Sequence, residues 1–156
     1  MHTICEVSKV SQARAVEVWE RLSRMHSSIS ATLEKEMQPQ AGISLGWYEV
    51  LAELKRAPGE MLRFQDLAHE AGLTESGASR RLDQMLKAHL IERLSCPTDR
   101  RGVYAHLTEQ GSQAYAKARA VFVSSIDKSL GRQLKPEEAE AMRATLSRLG
   151  AEERGS

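Results

Sequence analysis

The sequence predicts a mainly α-helical fold with one small β-hairpin, and three observations carry that prediction. Residues 7–37 contain neither proline nor glycine and repeat apolar side chains at intervals of three and four. Residues 62–107 instead hold two short helical patterns followed by two short β-prone runs. Residues 108–150 return to helical spacing. Because apolar spacing distinguishes amphipathic helices from strands, we expect long helices at both ends of a helix–hairpin unit.

The composition is that of an ordinary globular chain. Of the 156 residues, 41% are hydrophobic and 28% are charged, and the formal net charge is +1. These values argue against disorder. No apolar run approaches the roughly 20 residues of a membrane span, and the first residues lack the basic and apolar regions of a secretion signal. We therefore expect a cytoplasmic protein with no membrane partner.

A single long helix is expected over residues 7–37, with one apolar stripe along its length. The stripe consists of Ala15, Val18, Trp19, Leu22, Met25, His26, Ile29 and Leu33. At 1.5 Å per residue the helix reaches about 45 Å, more than a chain of this size needs to cover its own core. The proline and glycine within residues 38–42 are expected to end it. Ser44 is then a good N-cap for a second helix, which Pro58 and Gly59 end.

Two short helices joined by a glycine-containing turn are expected next. The first covers residues 64–71, with Gly72 in the C′ position, and Thr74 caps the second, residues 75–88. This order is the helix-turn-helix arrangement. Two β-prone runs, 91–94 and 103–107, predict a hairpin behind it. The fold class is therefore a winged helix-turn-helix with long terminal helices.

The hairpin is expected to have a long basic tip. Its connector, residues 95–102, is polar, and Pro97 and Gly102 are expected to hold it out of the sheet. Arg100 and Arg101 lie in this connector, where they suit the strongly negative potential of a DNA minor groove. Asp99 beside them is expected to hold one guanidinium by a salt bridge.

The last third of the chain is predicted to form two helices. Thr108 caps the first, which runs to about Leu130, and Pro136 opens the second, which Gly150 closes. A narrow apolar seam in the second of these helices suits packing against another helix. The seam consists of Ala139, Met142, Leu146 and Leu149.

One face of the predicted helix 75–88 has the residue types of a DNA reader. Short hydroxyls near a helix N-terminus let the backbone approach phosphate, and Arg80 and Arg81 offer planar forks for guanine edges or phosphates. The same polar face is also compatible with a plain solvated surface. Asp83 is unfavourable on a face that approaches DNA, and an ion pair with a nearby arginine would neutralise it. The face consists of Ser76, Ser79, Arg80, Asp83 and Lys87, at offsets of three, four, seven and eleven.

The charge distribution favours double-stranded DNA as the partner. Between residues 76 and 105, six basic side chains stand against three acidic ones, a local charge of +3 in a chain whose total is +1. The electrostatic footprint is therefore local and coincides with the helix-turn-helix and the hairpin.

Several motifs in residues 45–110 resemble the MarR family of bacterial transcription regulators, which are winged helix-turn-helix homodimers. The motifs are Asp66-Leu67-Ala68, Leu73-Thr74-Glu75-Ser76-Gly77-Ala78-Ser79-Arg80, Leu90-Ile91-Glu92-Arg93, Asp99-Arg100-Arg101-Gly102-Val103-Tyr104 and Leu107-Thr108-Glu109-Gln110-Gly111. The last two together are fairly specific to this family, whereas a helix-turn-helix alone is not. The chain departs from the family at His89, where members commonly have glycine.

The resemblance implies a role for each residue of this candidate interface. Residues 75–88 would be the recognition helix in the major groove, with either Arg100 or Arg101 as the wing arginine in the minor groove and Asp99 as its structural anchor. The positions that match base or phosphate contacts in the family are Ser76, Ser79, Arg80 and Arg81.

The resemblance also implies a homodimer held by the terminal helices. We divide the chain into an N-terminal dimerisation helix, residues 1–43, a winged helix-turn-helix region, residues 44–110, and C-terminal dimerisation helices, residues 111–156. The alternative is a monomer whose ends fold back on themselves. The implied function is a transcriptional regulator, most often a repressor, that binds a pseudo-palindromic operator and associates with the nucleoid when bound.

Two other functional classes were compared with this interpretation. A winged helix can instead serve as a protein-interaction module without sequence-specific DNA binding, although such a surface has no need of the Arg100–Arg101 pair. An enzyme is not expected, because the sequence has no phosphate loop, nucleophile elbow or convincing carboxylate pair. We expect no catalytic residues and no cofactor.

Many family members release DNA when a small aromatic or phenolic effector binds. Such an effector pocket here would draw on Arg14, Trp19, His26, Trp47 and Tyr48, although Trp19 and Tyr48 also fit core stripes and His26 fits a hydrogen-bonded core position. Redox roles for Cys5 and Cys96 stay open, with a structural cysteine favoured. No metal site is expected, because His2, Cys5 and the remaining histidines lack ligand spacing.

Overall fold

The fold comprises six α-helices and a three-stranded sheet within the part of the chain that the structure describes. That part, in this computed structural model, covers residues 10–70, 75–96 and 99–153. The elements in chain order are α1 Gln12–Ala41, α2 Leu45–Arg56, β1 Met61–Arg63, α3 Phe64–Glu70, α4 Glu75–Lys87, β2 Ile91–Cys96, β3 Asp99–Leu107, α5 Glu109–Ser129 and α6 Pro136–Glu153. The predicted fold class, mainly helical with a small β-wing, is confirmed.

The sheet has the strand order β1-β3-β2, with both pairs antiparallel. Strand β1 was not predicted from the sequence, since three residues are too few to show an alternating pattern. Met61 pairs with His106 and Arg63 pairs with Tyr104, so β1 lies along the edge of β3 opposite to β2. A short 3₁₀ turn at Pro58–Glu60 separates it from α2, which ends where Pro58 and Gly59 were expected to end it.

The predicted connector over residues 95–102 is wrong, because most of it belongs to the strands. Strand β2 continues to Cys96 and β3 begins at Asp99, and these two residues are partners. The next pair along the ladder joins Ser95 to Val103, so β3 carries three extra residues between two successive pairs. The extra segment, Arg100-Arg101-Gly102, is a bulge on the wing. Bulges of this kind bend a strand and redirect its side chains.

Helix α1 continues one turn beyond the expected break. Pro39 lies inside its last turn, and the helix ends only at Gly42, whose φ of 80° is left-handed and whose N–H donates to the Gln38 carbonyl. A glycine in this conformation is the usual helix stop. The predicted apolar stripe becomes more buried toward the C-terminal end of α1: Trp19 is 69% exposed, whereas Leu33 is only 4% exposed. Among the described residues, positions 12–21 at the start of α1 are therefore all exposed.

Helix α2 crosses the centre of the core. Ser44 caps it as predicted, accepting a hydrogen bond from the Trp47 N–H. The buried ring of Tyr48 stacks on two residues of α5, with centroid separations of 4.8 Å to Phe122 and 5.7 Å to Tyr115. Aromatic stacking of this geometry stabilises a core beyond the area that it buries.

The junction between α4 and α5 is closed by a dense set of backbone contacts. His89 has a φ of 55°, and the N–H groups of His89 and Leu90 donate to the carbonyls of Leu86 and Met85. This pattern is a Schellman cap, here formed around a histidine. Thr108 caps α5 as predicted, accepting from the Gly111 N–H at 2.9 Å, while its own hydroxyl donates to the His89 carbonyl at 2.7 Å.

Helix α6 starts at Pro136 as expected but does not end at Gly150, since it continues to Glu153. Within residues 136–150 of this helix, every residue except Met142 and Gly150 is exposed, and these two are half-buried. An apolar groove of about 320 Å³ lies between α6 and the N-terminal half of α1. Its lining residues include Val18, Leu22, Met142, Leu146 and Leu149.

Candidate nucleic-acid interface

Helix α4 is divided into a buried side and an exposed polar side. Leu82 and Met85 are buried in the core, as the apolar spacing predicted. Ser79, Arg80, Asp83 and Lys87 are exposed, so the described part of the predicted polar face is accessible to a partner. The side chain of Ser76 lies outside the described part of the structure.

Arg81 takes a different position from its neighbour Arg80. Its side chain is half-buried, and Nη1 donates to the carbonyl of Gly46 in the first turn of α2, at 3.4 Å. A side chain at position 46 would collide with this guanidinium, since an added Cβ would lie 2.7 Å from Nη1. The structure therefore places Arg80 on the exposed face of α4 and Arg81 against α2.

Acidic side chains surround the Arg81 contact. Burial raises the pKa of Glu49, the positive charge of Arg81 lowers it, and the nearby Glu34 raises it further. The Glu34 carboxylate also accepts a hydrogen bond from the Leu45 N–H at 3.0 Å. Helices α1, α2 and α4 thus meet in one charged cluster, which the sequence analysis did not identify because its members are far apart along the chain.

The acidic residue on the exposed face of α4 is neutralised. Asp83 forms an ion pair of 3.2 Å with Arg93 on β2, which is the kind of neutralising arginine that the sequence suggested. The guanidinium of Arg93 also lies 5.0 Å from the ring centroid of Phe64, the first residue of α3. Arg93 therefore joins the two helices of the helix-turn-helix to the wing, a role that is not visible in the sequence.

The wing extends from the helix-turn-helix as a two-stranded ribbon. The backbone of Arg100 and Arg101 lies in the three-residue bulge of β3, next to Asp99 at the start of the strand. The side chains of Asp99, Arg100 and Arg101 lie outside the described part, so the predicted salt bridge of Asp99 stays a prediction. The bulge separates the backbone of Arg100 and Arg101 from the regular ladder of the two strands.

A further basic residue, Arg63 on β1, lies beside the wing. Its Nε donates to the Tyr104 hydroxyl at 3.0 Å, and its guanidinium lies 5.6 Å from the ring centroid of Tyr104. Arg63 was not predicted as a residue of this surface, because strand β1 was not predicted from the sequence. The only available signal was its position just before the helix-turn-helix.

The five candidate effector residues are not gathered in one place. Arg14, Trp19 and His26 are exposed along α1, and Tyr48 is enclosed in the aromatic stack with its hydroxyl accepting from Arg119 Nη1 at 3.4 Å. Trp47 alone among them lines a described cavity of about 400 Å³, between the start of α2 and α5.

Residues 10–70, 75–96 and 99–153 contain neither a metal-binding cluster nor a membrane-spanning helix. No group of three or more histidine, cysteine, aspartate or glutamate side chains is arranged to hold a metal ion there. None of the helices in the same ranges is long and apolar enough to span a membrane. Cys5 and the side chain of Cys96 lie outside the described part.

The fold and the exposed face of α4 define a winged helix-turn-helix protein, and comparison with known proteins shows which family it is similar to. The MarR family model matches residues 41–102. The match covers α2, the helix-turn-helix and most of the wing.

Solved structures extend the similarity to the terminal helices. AbsC, a MarR family transcriptional regulator from Streptomyces coelicolor, is 27% identical, with 96% of this chain and 100% of AbsC covered and a TM-score of 0.81. Sco3205, a MarR family regulator from the same organism solved in complex with DNA, is 24% identical, with coverages of 97% and 94% and a TM-score of 0.80. Over nearly its whole length, the chain is thus similar to MarR family transcriptional regulators.

A third relative was solved with a small molecule. Mycobacterium tuberculosis Rv2887, a MarR family protein in complex with p-aminosalicylic acid, is 23% identical, with 84% of this chain and 96% of Rv2887 covered and a TM-score of 0.67. At this identity the likeness concerns the fold.

Proposed function

We propose that this chain is a repressor that binds a pseudo-palindromic operator as a homodimer and is released by a small aromatic effector. The observation that carries the DNA-binding part is the exposed face of α4. Arg80 and Ser79 are accessible on it, and its acidic residue, Asp83, is neutralised by Arg93 at 3.2 Å. A helix with such a face fits the major groove, where arginine reads guanine edges.

The wing supplies the second contact of each half-site. Arg100 and Arg101 lie in the bulge of β3, directly after Asp99 at the start of the strand. With α4 in a major groove, such a ribbon reaches the flanking minor groove, whose negative potential attracts arginine. Ser76 at the start of α4 is proposed to contact phosphate, and Asp99 to orient one wing arginine.

The terminal helices are proposed to form the dimer. Val18 and Trp19 on α1 and Leu146 and Leu149 on α6 are each about half exposed or more within the single chain. Exposed apolar residues that lie together, as those of α1 and α6 do along their shared groove, usually belong to an interface. A twofold dimer buries the same patch on both subunits and places two α4 helices for two half-sites. Residues 1–43 and 111–156 are the segments assigned to this interface.

Effector binding is proposed at the cavity beside Trp47. The cavity of about 400 Å³ is lined by the indole of Trp47 and by Lys117, an aromatic surface and a cation. Those two groups suit a small aromatic acid, the class to which the ligand of the Rv2887 complex belongs. Arg14, Trp19 and His26 are proposed to contribute only if the dimer brings them to the cavity. The ring of Tyr48, enclosed against Tyr115 and Phe122, is proposed to support the packing of α2 on α5 beside it.

The test of DNA binding is fluorescence anisotropy with DNA from the promoter region of the chain's own gene, against a scrambled duplex, at two salt concentrations. Selective binding that weakens with salt supports the proposal, because phosphate contacts release counterions. An absence of binding to any duplex at low salt contradicts it and favours the protein-interaction module.

The test of the dimer is sedimentation equilibrium of the wild type and of Leu146→Asp. The wild type is expected at twice its 17.4 kDa, and a charge in the apolar seam of α6 is expected to give the monomer. Val103→Asp is the matched control, because Val103 is an exposed hydrophobic residue on the wing and its substitution is expected to leave the dimer intact.

The chain contains two tryptophans, which makes the effector test specific. Titration with p-aminosalicylic acid is expected to quench the fluorescence of the Trp19→Phe variant, in which Trp47 remains. The Trp47→Phe variant is expected to show no saturable quenching. Equal quenching of both variants would place the ligand elsewhere.

A further inference from the structure

Arg81 is on the helix that faces DNA, yet its guanidinium contacts the protein. Nη1 lies 3.4 Å from the Gly46 carbonyl oxygen, and the side chain is half-buried between α4 and the first turn of α2. The fit is close, because a Cβ on residue 46 would lie 2.7 Å from Nη1 and 2.8 Å from Cζ. Glycine at position 46 therefore leaves the space that the guanidinium occupies.

The same turn of α2 is held from its other side by α1. Glu34 Oε2 accepts a hydrogen bond from the Leu45 N–H at 3.0 Å, next to Gly46 in the chain. Glu49, one turn further along α2, lies within electrostatic range of Arg81, Glu34 and His26. Two charged side chains, one from α1 and one from α4, thus bind adjacent backbone groups of a single helical turn.

We infer that Arg81 is a positioning residue, which fixes the orientation of α4 by binding the first turn of α2 in the space left by Gly46. The inference rests on the proposed DNA binding and assigns Arg81 a role other than the groove contact expected from the sequence. An arginine suits this role, because its planar fork is preorganised and stays charged when it is partly buried.

If Arg81 contacted a phosphate, its loss would change both the operator affinity and the dependence of that affinity on salt. Loss of a phosphate contact lowers the slope of log affinity against log salt by about 0.9. Loss of a positioning contact weakens operator binding, because α4 no longer docks in one orientation, but leaves the number of phosphate contacts unchanged. The salt slope therefore distinguishes the two roles.

The experiment is a double-mutant cycle of Arg81→Ala and Gly46→Ala, with operator affinity and salt slope measured by anisotropy. Each single substitution is expected to weaken operator binding by roughly tenfold. If the double variant loses no more than Arg81→Ala, the two positions are coupled by roughly the same tenfold factor, which is typical of residues in contact. The double variant is expected to be no weaker than Arg81→Ala, since the added methyl group then meets no guanidinium. In all three variants, the slope of log affinity against log salt concentration is expected to equal that of the wild type.

A matched control is provided by Gly131→Ala. Its Cβ would also meet the end of a side chain, Asp127 Oδ1 at 2.9 Å, but in the 3₁₀ turn Gly131–Gln133 after α5 and not in α2. Its operator affinity is expected to equal that of the wild type. The thermal unfolding temperature of Gly46→Ala is expected to stay near that of the wild type, because the group that must shift is the end of a long side chain and not backbone.

A second variant keeps the test decisive if Gly46→Ala does not fold. Arg81→Lys retains the charge without the planar fork, so it is expected to lose affinity as Arg81→Ala does. Additive losses in the cycle, a slope lowered by about 0.9 in Arg81→Ala, or wild-type affinity in Arg81→Lys would each overturn the inference. Wild-type protein that does not prefer its operator would overturn the proposed function, and this inference with it.

Discussion

Asp83 and Arg93 join α4 to β2 through an ion pair of 3.2 Å. Both side chains are more than half exposed, and such pairs contribute at most about 1 kcal/mol to stability. The main effect of the pair is electrostatic, because Arg93 neutralises the Asp83 carboxylate on the face proposed to approach DNA. The guanidinium of Arg93 also lies over Phe64, so one side chain links the wing to both helices of the helix-turn-helix.

Arg80→Ala is expected to reduce the preference for operator over random DNA by about 1–3 kcal/mol, because Arg80 is the exposed arginine proposed to read a base edge. Competition anisotropy with the two duplexes measures this preference. Arg132→Ala removes an exposed arginine that is ion-paired with Asp127, far from α4, and is expected to leave the preference unchanged. An equal loss on both duplexes would reassign Arg80 to phosphate.

The double substitution of Arg100 and Arg101 by alanine is expected to weaken binding to every duplex. The salt slope is expected to fall by up to about 1.8, since each lost phosphate-type contact removes about 0.9. Lys128→Ala with Arg132→Ala is the control with the same change of net charge, at the exposed end of α5. If the slope of the wing variant equals that of this control, the wing does not contact DNA.

His89→Gly is expected to stabilise the protein by about 0.5–1 kcal/mol. His89 holds a φ of 55°, which is unfavourable for a residue with a Cβ but not for glycine. Urea unfolding measures the change. His89→Ala retains a Cβ and is expected to show no such gain, so equal stabilisation by both substitutions would point to the imidazole and not to the backbone.

Gly111→Ala is expected to destabilise the protein by about 2–3 kcal/mol, because the added Cβ would overlap the Leu90 carbonyl oxygen and lie 2.9 Å from a Leu107 methyl carbon. Gly150→Ala, where the Cβ meets nothing within 4 Å, is expected to gain up to about 1 kcal/mol from helix propensity. The two midpoints in urea should therefore move in opposite directions.

The pKa of Glu49 is raised, chiefly by burial and against the charge of Arg81. A raised carboxyl pKa means that the folded state retains the proton more strongly, so ionisation of Glu49 lowers stability as pH rises above about 4.5. Glu49→Gln is expected to unfold at a higher temperature than the wild type at pH 7.5. This difference should shrink as pH falls toward 5, and a constant difference would remove ionisation as the cause.

The sequence predicted most of the helices, because their apolar spacing and caps are local. Ser44, Thr108 and Pro136 begin helices where they were expected to. The errors fall where local signals compete. Residues 95–102 read as a loop because they contain proline and glycine, yet pairing across β3 extends both strands into them.

The candidate site was predicted in part. The exposed face of α4 follows from helical periodicity, since Ser79, Arg80, Asp83 and Lys87 lie on one side at fixed offsets. Periodicity does not separate Arg80 from Arg81, which are adjacent in the chain. What separates them is Gly46, 35 positions away from Arg81, and no local pattern carries that contact.

The sequence by itself determined the order of the elements, the family motifs, the local positive charge and the unusually long first helix. Each of these depends on neighbouring residues or on composition. Only the tertiary structure decided that Arg81 contacts α2 and that Arg93 bridges Asp83 and Phe64. It also decided that Trp19 is exposed whereas Tyr48 is enclosed. The reason is physical, because such contacts depend on which surfaces the packed helices bring together.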